Sequence, residues 1–232
     1  MSLRFPATWY ATDLGIHRPC HGTYERYPYE SLPRLDASMF TGSFSWFGDP
    51  GPVLDEQVAA MDRHKGDLAQ HGLALPHDFV AFQSHAKLSR MLDEVSVTCC
   101  WSNLSSPMAS PIEPGAYLVR FLRDQQDCAF WYLYLRPSAR PFVVHSSELA
   151  YHLDYLDPDE GFDFDDEASP ELDAADLATE IHWCAPTFEQ FAYRFWIENR
   201  LWRKLHHEPD AEPNPAERHY LNHYSARKQA RG

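Results

Sequence analysis

Cys128-Ala129-Phe130-Trp131-Tyr132-Leu133-Tyr134-Leu135 is eight residues long, carries no charge and is apolar or aromatic throughout. A run of this length suits a strand better than a helix, and apolar side chains on both sides describe a strand covered on both faces. Tyr117–Leu122 precedes it and Phe142–His145 follows it, joined to it by Asp124-Gln125-Gln126-Asp127 and by Arg136-Pro137-Ser138-Ala139-Arg140. Links this short connect antiparallel neighbours, and proline presets a turn. The centre of the chain therefore predicts an antiparallel meander with residues 128–135 in its middle. Upstream, Val95, Val97, Cys99 and Trp101 alternate with Ser96, Thr98 and Cys100, the period of a half-buried strand.

Helical spacing flanks the meander. Leu54, Val58, Met61 and Leu68 share one stripe, with Asp55 and Glu56 at its start and Gly72 after its end, predicting a helix over 53–71. Leu75-Pro76-His77-Asp78-Phe79 opens a shorter helix, with proline at a helix start and Phe79, Phe82 and Ala86 on one face. Thr187-Phe188-Glu189-Gln190 reads as a capping box, and Phe188, Phe191, Ala192, Phe195, Trp202 and Leu205 then form the stripe of a helix over 188–206 that packs across the sheet. Helices segregated from a strand meander make the fold class α+β, with an antiparallel or mixed sheet of four to five strands. Residues 1–51 show no sustained period and read as an irregular N-terminal extension, 52–207 as the α+β domain, and 208–232 as a flexible C-terminal tail.

The 232 residues carry a net charge of −14, and its distribution says more than its size. Between Arg140 and Arg194 there are fourteen carboxylates and no Lys or Arg; the other 20 of the 34 acids equal the 20 basic residues in number. One segment thus holds the whole excess. Such a field repels nucleic acid and anionic lipid, and it accelerates encounter with a basic partner. No stretch of eighteen apolar residues is present, so no membrane partner is expected. The first twenty residues lack a basic start, an apolar run and a small-residue cleavage site, and Cys20, Cys99, Cys100, Cys128 and Cys184 are odd in number. These features predict a cytoplasmic protein with reduced thiols.

Thirteen histidines invite a metal reading, but Cys-x-x-Cys and His-Glu-x-x-His are both missing. The nearest arrangements are His182-x-Cys184 and the pair His219 and His223, and neither supplies a ligand set, so no metal and no cofactor is expected. Glycine-rich phosphate loops and serine elbows are absent as well, and the chain reads as a non-enzyme without catalytic residues. Asp157-Pro158-Asp159-Glu160-Gly161 comes near a calcium loop but places its glycine fifth, where the EF-hand needs it sixth. A solvated loop and a protein-binding face both account for this segment. The solvated loop is the plainer account, and Phe162 and Phe164 add weight to the binding face, because an interface has use for aromatic anchors. The candidate partner-binding residues are Asp159, Glu160, Phe162, Asp163, Phe164, Asp165, Asp166 and Glu167.

The Leu75-Pro76-x-Asp78-Phe79 helix start, the run from Tyr117 to Asp127 into Trp131–Leu135, and Ala185-Pro186-Thr187-Phe188-Glu189-Gln190-Phe191 through Phe195–Asn199 together resemble the SUKH superfamily, over roughly residues 53–206. The resemblance implies an α+β domain. It also implies a binding role, since many bacterial members are immunity proteins that neutralise toxins, often nucleases, and fungal relatives are signalling scaffolds. The expected function is therefore a bacterial immunity-type protein that binds a toxin, one with a basic domain on the charge argument. The alternatives are a regulatory or scaffold protein with a cellular partner, and a small-molecule-binding or catalytic domain that uses an aromatic-lined interior.

Overall fold

Burial of six consecutive side chains, Phe130–Leu135, places that run in the middle of the molecule. The structure, a computed structural model, describes residues 4–153, 173–208 and 210–229. In chain order, β1 (Thr8–Tyr10) and β2 (Arg26–Pro28) precede α1 (Asp55–Ala69), α2 (His77–Ser84), α3 (Met91–Val95), β3 (Cys100–Ser102), β4 (Met108–Ala109), β5 (Tyr117–Asp124), β6 (Phe130–Leu135) and β7 (Phe142–His145). They are followed by α4 (Glu148–His152), α5 (Ala174–Glu180), β8 (His182–Ala185), α6 (Phe188–His207) and α7 (Pro215–Gln229).

The protein is an α+β fold. Its main sheet has the order β3-β5-β6-β7-β8, and β4 pairs with β5 as a sixth strand. β3 meets the Leu122–Asp124 end of β5 and β4 meets its Tyr117–Leu118 end, so two short strands share one edge position. The sheet is five strands wide although six form it, and every strand pair in it is antiparallel. β6 has a neighbour on each side and a hydrophobic cluster on each face, which is why it tolerates no polar side chain. Val119, Phe121, Trp131, Leu133 and Val143 face Phe79 and Phe82 of α2 and Phe188, Phe191 and Phe195 of α6. Leu118, Phe130, Tyr132, Tyr134 and Val144 face Leu149 of α4 and Leu177 of α5 on the other side.

α6 is set by its first turn. Thr187 Oγ1 accepts from the Gln190 N–H at 3.1 Å, as the capping pattern predicts, and the buried Asp78 carboxylate accepts from the Glu189 N–H at 2.9 Å. The aspartate of the Leu-Pro-x-Asp-Phe segment thus caps a helix more than a hundred residues away and locks α2 to α6. Thr187→Ala is expected to lower stability by about 1 kcal/mol in a denaturant titration, because one cap is lost while Asp78 still serves the same turn.

The strand expected over 95–101 is largely absent. Val95 closes α3 with its side chain buried, and Cys99 takes a positive φ of 56°, which ends any extended run; only Cys100–Ser102 pairs, as β3. The phase is reversed too, with Cys100 buried and Trp101 42% exposed beneath the Arg123 guanidinium. Gly72 does stop the first helix as expected, at φ 69°, a left-handed conformation that glycine adopts at little cost.

Both ends of the chain join the core. Residues before α1 contain only short elements, yet Trp9, Leu14, Leu32 and Phe44 are buried. Glu189 reaches back from α6 to accept from the N–H groups of Gly42 and Phe44 and from the Trp46 indole, pinning that segment down. Where a loosely docked tail was expected, residues 215–229 form α7, which buries Tyr220, Leu221 and Tyr224 against Leu14, Tyr193, Ile197 and Leu201. Asn214 and Glu217 start it with a reciprocal capping box, each side chain accepting from the other's backbone N–H, and Pro215 stands at its first position, where a missing N–H costs nothing.

Candidate functional site

A cleft opens where the segment between β1 and β2 meets α6 and the α3–β3 connection. It has a volume of about 370 Å³, and Tyr10, Asp13, Tyr24, Trp131, Phe195 and Trp202 are among its lining residues. That volume lies within the usual range of small-ligand pockets. The ring pairs Tyr10–Tyr24, Tyr10–Trp131 and Tyr24–Trp131 have centroids 5.4, 5.8 and 6.3 Å apart and meet edge to face. Among the described residues Asp13 is the one carboxylate that lines the cleft, and no Lys or Arg does.

Tyr10 ends β1, but the stretch that carries Asp13 and Tyr24 has no regular structure of its own, and a buried ion pair holds it. Arg18 donates to both oxygens of Glu198 on α6, at 2.8 and 2.7 Å, and to the Thr12 carbonyl at 2.8 Å. The Trp9 indole and the Tyr220 hydroxyl donate to the same carboxylate, at 2.9 and 2.5 Å. Burial alone would push the Glu198 carboxyl up; Arg18, then Arg194 and the Tyr220 hydroxyl, hold it below its ordinary value, so it stays charged. On the opposite wall Asn199 fixes the α3–β3 connection by accepting from the Val97 N–H at 2.9 Å.

This arrangement is suited to binding. Burial pushes the Cys20 thiol up to about 11, so at neutral pH it is a thiol and not the nucleophilic thiolate. Asp13 accepts from the N–H groups of Gly15 and Cys20 and faces His206 at 3.3 Å.

Beside the cleft stands a pair of stacked histidines. His145 ends β7 and His182 begins β8; they are register partners, with ring centroids 5.0 Å apart and planes within 6°. The Tyr10 ring lies 3.9 Å from His145, and Thr8 Oγ1 is 3.0 Å from its Nε2. Burial first, then His182 and Arg26, hold His145 well below the ordinary histidine value, and burial, then Arg26, bring His182 down to about 4. The unfolded chain therefore takes up these protons first as pH falls. Stability is expected to be complete above about pH 6.5 and to decline towards pH 4 by up to about 1.4 kcal/mol per pH unit for each of the two histidines. Thermal midpoints across that range measure it, and His182→Gln should flatten the slope.

The candidate residues read from the sequence, Asp159, Glu160, Phe162, Asp163, Phe164, Asp165, Asp166 and Glu167, lie outside the described residues. Their frame is described. β7 and β8 are adjacent antiparallel strands, so the connection that contains the acid block departs and returns at one end of the sheet, at the His145–His182 pair. Of the metal candidates, His182 and the buried Cys184 sit on β8, while His219 and His223 sit on α7, where His223 meets the Ser31 carbonyl. Among the described residues no group of three His, Cys, Asp or Glu is placed to hold a metal ion, and no helix is long and apolar enough to cross a membrane.

The cleft itself escaped the sequence reading. Trp131 and Phe195 read as core, and Tyr10, Asp13 and Tyr24 belong to an extension without periodicity. Its signal was compositional: an irregular segment rich in Tyr and Trp next to a helix whose apolar stripe runs on to Trp202. No protein-family model, no curated protein and no solved structure matches the chain.

Proposed function

We propose that this protein acts by binding another protein, and that it is an immunity-type protein that neutralises a toxin with a basic binding surface. The observation that carries the reading is the acid block between Arg140 and Arg194, thirteen of whose fourteen carboxylates lie in the connection between β7 and β8, whose two ends are held by paired strands. Clustered carboxylates repel one another and weaken the fold, so a block that contains no interspersed base is best explained by a use. A carboxylate-rich surface attracts a basic cleft and, once docked, occludes it.

The test is isolation of the partner from the native host, followed by association kinetics. Replacing Asp163, Asp165 and Asp166 with Asn and Glu167 with Gln is expected to slow association about ten-fold at low salt and to flatten its salt dependence, with the thermal midpoint level or raised. Phe162→Ala with Phe164→Ala should speed dissociation instead, since desolvated anchors act after encounter. A partner whose kinetics ignore both sets removes the acid block from the interface. A regulatory or scaffold role shares this binding chemistry, and the identity of the captured partner separates the two: a toxin, encoded beside this chain, supports immunity.

A further inference from the structure

We infer that the aromatic cleft between the β1–β2 segment and α6 receives an arginine side chain of the partner. The inference rests on the reading of the partner as a basic protein, and it assigns that partner's anchor to a different surface from the acid block.

Four observations point to a cation. The rings of Tyr10, Tyr24, Trp131, Phe195 and Trp202 line the cavity, and an aromatic face carries the negative end of its quadrupole. Tyr10, Tyr24 and Trp131 meet edge to face, and the Arg26 guanidinium already lies 5.6 Å from the Tyr10 ring centroid, so a ring of this cluster holds a cation within the protein itself. Asp13 adds a carboxylate, which faces His206 at 3.3 Å, and among the described residues no Lys or Arg lines the cleft. Finally, Tyr10 also packs on His145, at the end of the sheet where the connection that contains the acid block begins.

The cleft also carries backbone strain of the kind expected where shape serves recognition. Tyr24, in one wall, has a φ of 61°, and Cys99, next to the lining residue Thr98 in the other wall, has a φ of 56°. Non-glycine residues adopt such angles at a cost of about 1 kcal/mol or more, and they persist where the surrounding structure holds them. Here the Arg18–Glu198 pair holds one wall and Asn199 the other. Arginine is preferred to lysine because a planar guanidinium stacks on ring faces while it presents N–H groups in its plane to a carboxylate such as Asp13.

The test uses the full chain and a capped Gly-Arg-Gly peptide, with the citrulline and phenylalanine peptides as controls, followed through the indole N–H signals of Trp131 and Trp202. The arginine peptide is expected to shift both signals saturably, with a Kd of about 1 mM or tighter, at least about ten-fold below that of either control. Trp202→Ala should weaken binding about ten-fold and Asp13→Asn about five-fold. Asp13→Asn keeps the oxygen that accepts from Gly15 and Cys20, so it reports on charge even if Trp202→Ala unfolds the protein. Controls that bind as well as arginine, or an absence of any shift at about 10 mM, would overturn the assignment. The outcome is separable from that of the preceding proposal. A captured basic partner whose affinity ignores both variants sinks the cleft assignment and leaves the partner reading standing; an arginine-specific cleft in a protein that captures no basic partner does the reverse.

Discussion

Glu198→Ala is expected to destabilise the protein by about 3–5 kcal/mol, because it leaves the buried Arg18 guanidinium without its counter-charge. Arg18 is 3% exposed and Glu198 is fully buried. Around the pair, Trp9 and Tyr220 donate to the carboxylate, Tyr224 accepts from Arg18 at 2.8 Å, and Arg194 donates to Tyr220 at 2.8 Å. One carboxylate therefore ties together the segment after β1, the middle of α6 and the face of α7. Its loss should free both chain ends, with a lower denaturant midpoint and faster proteolysis before α1 and within α7. Glu198→Gln should cost less, since an acceptor remains. The double variant Arg18→Met with Glu198→Met should recover part of the loss, because no uncompensated charge is then buried. A single Ala variant with the wild-type midpoint would show that this network holds neither end in place.

Phe191→Ala is the second large effect, about 3–5 kcal/mol, typical of truncating a buried aromatic ring. The Phe191 side chain is fully buried, and its ring lies 5.1 Å from Phe121, 5.5 Å from Trp9, 6.0 Å from Phe195 and 6.4 Å from Trp131. It touches the sheet, its own helix and the N-terminal segment at once. Those neighbours are themselves large and interlocked, so they collapse poorly into the space left behind, which sets the cost near the upper end of the range. Because Trp131 and Phe195 also line the cleft, the same variant should weaken any ligand of the cleft even in conditions where the protein stays folded. A denaturant midpoint unchanged by Phe191→Ala would contradict the packing of α6 across the sheet.

The proposed binding role divides the work between charge and shape. In that proposal the acid block would act at long range and be screened by salt, whereas the cleft would act on contact. Tyr10 lines the cleft and packs on His145, the last residue of β7.

The residues that the sequence placed well are those whose role depends on their immediate neighbours. The uninterrupted apolar run of β6 suited a strand covered on both faces, short turn-forming links made β5, β6 and β7 antiparallel, and Thr187 with Gln190 marked the start of α6. The acid block and its sign were legible as plain composition. What the sequence left open depends on pairs far apart in the chain. Val95, Val97, Cys99 and Trp101 alternate like a strand, yet the left-handed turn at Cys99 and the packing of Val95 in α3 allow only β3. The first fifty residues and the last twenty-five lack strong periodicity because they are held by point contacts, Glu189 to Gly42 and Phe44, and Glu198 to Trp9, Arg18 and Tyr220. The cleft is of the same kind: Tyr10, Asp13, Trp131 and Trp202 are separated by up to nearly two hundred residues. A side chain's own sequence records whether it prefers burial, but which distant partner satisfies a buried charge or completes a cavity is settled only when the whole chain packs.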